Sequence, residues 1–134
     1  MIVVDTNVIV YFWLRGDFTA QSEATLRRDS HWIVPYLWRS EFRNVLVTYV
    51  RAKRLQADDA HAIYLKAETA LRGREFAVTG RAALSLAFES GLSAYDCEYI
   101  ALAAERNCKL VTSDKKIVKS FPRHAVSLAD FSGE

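Results

Sequence analysis

Apolar residues along this chain fall into two kinds of run. Four short unbroken stretches, Met1-Ile-Val-Val4, Trp32-Ile-Val-Pro35, Lys109-Leu-Val-Thr112 and Ala125-Val-Ser-Leu128, are rich in β-branched residues. That is the pattern of strands buried on both faces. Between them the apolar positions recur every three or four residues, as on one face of an amphipathic helix. The pattern predicts a first helix from Asp5 to about Leu14, stopped at Gly16, and a second over Ala20 to Arg28, capped by Thr19 or Ser22. A long helix follows from Tyr36 to about Lys53, with Phe42, Val45, Leu46, Tyr49 and Val50 as its stripe. Another opens at Asp58 and Asp59 and runs to Leu71, and Glu75 to Val78 reads as a short edge strand. Arg81 to Glu89 is helical and closed by Gly91. Ser93 then caps a helix whose face is Tyr95, Tyr99, Ile100, Leu102 and Ala103, with Asn107 as its stop. Lys115 to Ser120 is a last short helix, broken by Pro122. Strands that alternate with helices predict the α/β class, with a central parallel β-sheet flanked by α-helices.

Composition bounds this picture without changing it. The chain has 134 residues, of which 51% are hydrophobic and 25% charged, enough for one domain with its own core. No internal repeat, linker or low-complexity tract divides it. The net charge of +2 permits a nucleic-acid partner without arguing for one. Cys97 and Cys108 lie eleven residues apart, about 16 Å along a helix that carried both, too far for a disulfide. Both read as free thiols of a reducing compartment. The apolar N-terminus has no basic leader or small-residue cleavage site, is interrupted by Asp5 and is too short to span a bilayer. These features predict a cytoplasmic protein with no membrane partner.

The candidate chemistry lies in acids. Asp5 ends the first strand and Asp114 follows the strand Lys109–Thr112, so both stand at carboxyl ends, where open α/β sheets build their ligand crevices. Each has a structural reading as well: Asp5 and Asp114 as helix caps, and Asp96 as a first-turn acid favoured by the helix dipole. Glu41 is harder to place structurally, since Leu37, Trp38, Asn44 and Val45 at helical spacing offer it no cation. Asp96 is in the same position, among Leu92, Ser93, Tyr99 and Ile100. Carboxylates with apolar neighbours require some other positive charge. A site of four carboxylates suits a hard cation such as Mg²⁺ or Mn²⁺ and the hydrolysis of a phosphodiester. Glu98, two residues and about 200° round the helix from Asp96, is expected to face solvent. The three histidines have no metal-binding spacing, and no nucleophile elbow or phosphate-cradling glycine loop occurs.

Four segments in order, VVDTNVIV, SEF, SAYDCEYIALA and LVTSD, resemble the PIN-domain ribonucleases. The likeness is strongest to the VapC-type toxins of type II toxin–antitoxin pairs. It spans essentially the whole chain and implies a single PIN-like nuclease domain over residues 1–134. Carried over by position, it implies that Asp5, Glu41, Asp96 and Asp114 form an acidic, metal-binding catalytic pocket. Asn7 and Thr112 then match polar positions that support the pocket. It also implies a homodimer and silencing by a cognate antitoxin. Cys97 stands where the family often has a small residue such as alanine, and no acid is missing.

For an RNA substrate, Lys115, Lys116, Lys119 and Arg123 follow Asp114 and are candidate phosphate contacts, against the reading of an ordinary solvated helix face. The basic residues around the helical arm, Arg51 to Arg54 and Arg72 to Arg81, extend that footprint less directly. Tyr11, Phe12, Trp13, Trp32 and Trp38 are more aromatics than one small core needs, so some are candidates for stacking on bases or lining a partner groove. The alternatives are a housekeeping PIN nuclease for RNA processing and a non-catalytic protein-interaction module. A receiver domain would need an acidic pair after the first strand, where Val4 and Thr6 flank Asp5 alone, and Asn7 occupies the second acid of a D-x-D phosphatase.

Overall fold

A computed structural model describes residues 1–134. Its strands are β1 (Ile2–Val4), β2 (Trp32–Pro35), β3 (Glu75–Phe76), β4 (Leu110–Thr112) and β5 (Ala125–Ser127). They form one parallel sheet in the order β3-β2-β1-β4-β5. The chain therefore works outward from β1 to β2 and β3, then returns to lay β4 against the other side of β1. That reversal opens a crevice at the carboxyl ends of β1 and β4.

Helices α1 (Thr6–Trp13), α2 (Thr19–Arg28), α3 (Leu37–Arg51), α4 (Ala57–Ala70), α5 (Gly80–Ser90), α6 (Ala94–Glu105), α7 (Lys115–Ser120) and α8 (Leu128–Ser132) cover both faces of the sheet. Strand side chains alternate between two cores. Ile2, Val4, Trp32, Val34 and Val111 join Val8, Ile9, Trp38, Phe42 and Leu46 on one face. Val3, Ile33 and Leu110 join Tyr99, Ile100, Leu102 and Ile117 on the other. Unbroken apolar strands are thus required, because neither face of the sheet meets water.

Several sequence expectations need correction. The last strand stops at Ser127, and Leu128 begins α8, whose first turn is capped by the Ser127 hydroxyl accepting from the Asp130 N–H. The edge strand is two residues, Glu75–Phe76, and does not reach Val78. Neither Thr19 nor Ser22 caps α2. Both are buried, and they tie α2 to α1 instead: Thr19 Oγ1 donates to the Tyr11 carbonyl at 2.7 Å, and Ser22 Oγ donates to that of Val8 at 3.1 Å. Trp32 and Trp38 are core residues, while Tyr11, Phe12 and Trp13 pack against the same core and stay partly exposed. Cys97 and Cys108 are free thiols, as expected.

Candidate active site

Asp5 leaves β1 with its backbone N–H on the Val111 carbonyl of β4, 3.0 Å away, and only 7% of the residue is exposed. Both of its carboxylate oxygens accept hydrogen bonds. Oδ1 accepts from the Thr6 N–H at 2.8 Å, capping α1, while Oδ2 accepts from Thr112 Oγ1 at 2.7 Å and from Asn7 Nδ2 at 3.3 Å. Thr112, wholly buried at the end of β4, also accepts the Asp114 N–H at 3.0 Å. One hydroxyl thereby spaces Asp5 against Asp114. Asn7 closes the bracket, its Oδ1 accepting the Ser113 N–H at 3.2 Å. Asp114 Oδ1 in turn accepts the Lys116 N–H at 2.8 Å and caps α7. The capping role and membership of the crevice are therefore compatible at both aspartates.

Glu41 and Asp96 arrive from helices whose N-termini face the same edge. Glu41 is in α3, which leaves the carboxyl end of β2. Asp96 is in the first turn of α6, which runs antiparallel to the strands, and its N–H donates to the Ser93 cap at 3.0 Å. Glu41 Oε1 accepts from Tyr99 at 2.6 Å and from Thr6 Oγ1 at 2.8 Å. Neither hydroxyl stood out in the sequence. Tyr99 reads as one more position of an apolar helical face, and Thr6 as a turn residue. The one signal for Tyr99 was its place a single turn after Asp96.

The electrostatics match this crowding. Burial pushes the Asp5 carboxyl up from 3.8 to about 6; bonds from Thr112 and Thr6 oppose the shift, and the charges of Glu41 and Asp96 add to it. Asp96 is raised by burial first and by Asp114 as well, against its bond from Ser93. Every ion pair of the molecule lies elsewhere, among Met1, Arg15, Arg39 and their acids, so none of the four carboxylates has a cationic side chain within 4.0 Å. No three carboxylate, imidazole or thiol groups converge closely enough to hold an ion as they stand. All-oxygen donors, partly or deeply buried and without a counter-charge, fit a hard divalent cation.

Glu98 departs from expectation. It is partly buried, and its carboxyl is raised by burial and then by Glu41, which places it within electrostatic reach of the crevice. The 200° rotation does not free it, because Cys97, Tyr99, Ile100, Ala101, Leu102 and Ala103 bury α6 round most of its circumference. The basic candidates separate. Lys115 and Lys116 are exposed beside Asp114, and Lys119 is exposed one turn on. Arg123 is not with them. It lies beyond α7 at the amino ends of β4 and β5, where its carbonyl accepts from Lys109 Nζ at 2.6 Å. In the helical arm, Arg54 packs over the Tyr49 ring and Arg74 donates to the Ser30 carbonyl just before β2, so both are engaged within the fold.

Residues 2–123 match the PIN-domain family model. The chain belongs to the PIN-domain family. Its relatives include the ribonuclease VapC9 of Mycobacterium tuberculosis, 32% identical over 117 residues, covering 87% of this chain and 88% of the relative. Ribonuclease VapC3 of Pyrobaculum aerophilum is 27% identical over 127 residues, covering 90% and 95%. Solved structures of similar fold include PAE2754 from Pyrobaculum aerophilum, with TM-score 0.77, 19% identity and coverage of 99% of this chain and 97% of that one. A toxin–antitoxin complex from Klebsiella pneumoniae aligns with TM-score 0.68, 16% identity and coverage of 96% and 98%. The PIN fold thus accounts for the sheet order and the crevice described above.

Proposed function

We propose that this chain is a divalent-metal-dependent endoribonuclease and the toxin component of a type II toxin–antitoxin pair. The observation that carries the proposal is the set Asp5, Glu41, Asp96 and Asp114 at the β1/β4 crevice, each within electrostatic reach of another and none with a cationic partner. These four are the catalytic residues and would hold Mg²⁺ or Mn²⁺, with Asn7 and Thr112 fixing Asp5 and Asp114. A cation bound there would polarise the scissile phosphate and offset charge on the departing oxygen. Burial and Thr112 keep Asp5 in one rotamer, and the Ser93 cap sets the first turn from which Asp96 projects. Lys115 and Lys116, and Lys119 at the far end of α7, are placed to meet the phosphates of an RNA strand entering beside Asp114; Arg123 is not part of that contact. The VapC relatives, named as ribonucleases, support the substrate, and the similar fold in a toxin–antitoxin complex supports the partner.

An apolar cleft of about 360 Å³ lies between α3 and α4, walled by Leu46, Val47, Val50, Ala57, Ala60 and Tyr64. No helix is long and apolar enough to cross a membrane.

Total RNA incubated with the purified chain and Mg²⁺ or Mn²⁺ tests this, beside EDTA and Asp96→Asn lanes. Discrete fragments are expected with metal alone. Asp96→Asn should slow cleavage by more than about a hundredfold, since losing a ligand exceeds the tenfold to hundredfold effect of losing a ligand's hydrogen-bond partner. Intact RNA in every lane, from a sample proven free of bound partner, would give the lead to a protein-interaction module.

A further inference from the structure

Tyr99 is 1% exposed, packed in the core that also holds Val3, Ile33, Ile100 and Leu110. A phenol so buried needs a partner for its hydroxyl. Its partner is Glu41 Oε1 at 2.6 Å, the same oxygen that accepts from Thr6 Oγ1 at 2.8 Å. The two hydroxyls also touch each other. Side chains from α1, α3 and α6 therefore meet on a single carboxylate oxygen. Glu41 Oε2 accepts nothing from the chain. The backbone N–H of Thr6 meanwhile holds Asp5 Oδ1, so one residue registers two of the acids against each other.

We propose, resting on the metal-dependent reading above, that Tyr99 and Thr6 are positioning residues that clamp Glu41 through Oε1 and so present Oε2 alone to a divalent cation. A glutamate on a helix has three side-chain torsions, and an unrestrained carboxylate offers either oxygen in many rotamers. Each hydroxyl carries one proton. Because the two hydroxyls touch, the Tyr99 proton goes to Oε1 as a charge-assisted bond while that of Thr6 is shared between Oε1 and the phenol oxygen, so Oε1 is the occupied oxygen. Ligand geometry must be held to fractions of an ångström, and rotamer locking by outer hydrogen bonds is how that is done.

Tyr99→Phe keeps the ring and removes only the donor. Mn²⁺ affinity, followed by electron paramagnetic resonance of the free ion, should weaken by about tenfold or more, and RNA cleavage should fall with it. In a Glu41→Gln background, Tyr99→Phe should weaken Mn²⁺ binding no further, because it acts through the carboxylate. Thr6→Val, which removes the second donor and leaves the aromatic core intact, should shift affinity in the same direction. Unchanged Mn²⁺ affinity in both Tyr99→Phe and Thr6→Val, with Glu41→Gln impaired, overturns the clamp and leaves the nuclease reading standing. Equal losses from Tyr99→Phe with and without Glu41 also overturn it. A parent chain that neither binds Mn²⁺ nor cleaves RNA overturns both.

Discussion

Thr112 and Asp5 define the residue scale of this molecule. Asp5 holds its proton up to about pH 6 when folded, against an ordinary 3.8. Between those values the folded state binds more protons than the unfolded chain, so metal-free stability falls as pH rises through the window. Below 3.8 both states are protonated and nothing is lost; above about 6 the loss is complete, worth about 3 kcal/mol. Urea titrations of the metal-free chain should therefore show it losing about that much relative to Asp5→Asn across the window. Thr112→Val strands Asp5 Oδ2 of its best donor and should cost about 1–3 kcal/mol in the same assay. Of these residues, Asp5, Asp96 and Asp114 were legible because a cap, a first turn and a strand end are short-range patterns. Glu41 was legible by what its helix lacked. Tyr99 and Thr6 were not, since their hydroxyls meet Glu41 only through tertiary packing of three helices.

At the scale of elements, capping carries much of the specification. Ser93 and Gly91 bound their helices as their spacing predicts, and Asn107 stops α6 by taking φ +52°. Its N–H and that of Cys108 return to the carbonyls of Ala104 and Ala103, a Schellman ending that feeds the chain straight into β4. Asn107→Ala should cost about 1–2 kcal/mol and Asn107→Gly almost nothing, read from denaturant midpoints. The α8 helix escaped the hydrophobic pattern because five residues give no periodicity, although Ser127 and Asp130 carried the same three-residue cap signature as Ser93 and Asp96. Thr19 and Ser22 misled for the opposite reason: both have the chemistry of caps, and burial turned both toward α1.

For the whole molecule, the order of the strands decides where chemistry can occur. β1 lies at the centre of the sheet, and everything built at its carboxyl end is flanked by β2 and β4. A cation bound at the proposed site would neutralise charge that the metal-free fold tolerates at a cost. Saturating Mn²⁺ at neutral pH should then raise the thermal midpoint by several degrees, an increment of about 2.7 kcal/mol at a hundredfold excess over the dissociation constant, and should not do so in Asp96→Asn. Asp5 and Asp114 each begin a helix as well as lining the crevice, and asparagine begins helices as well as aspartate does. One nucleotide separates the codons of these two amino acids. On the proposed role of these two aspartates, a gene for this chain is a single transition away from a copy that folds and offers a partner the same surface while cutting nothing. A lineage burdened by the proposed activity would then discard it without discarding the protein.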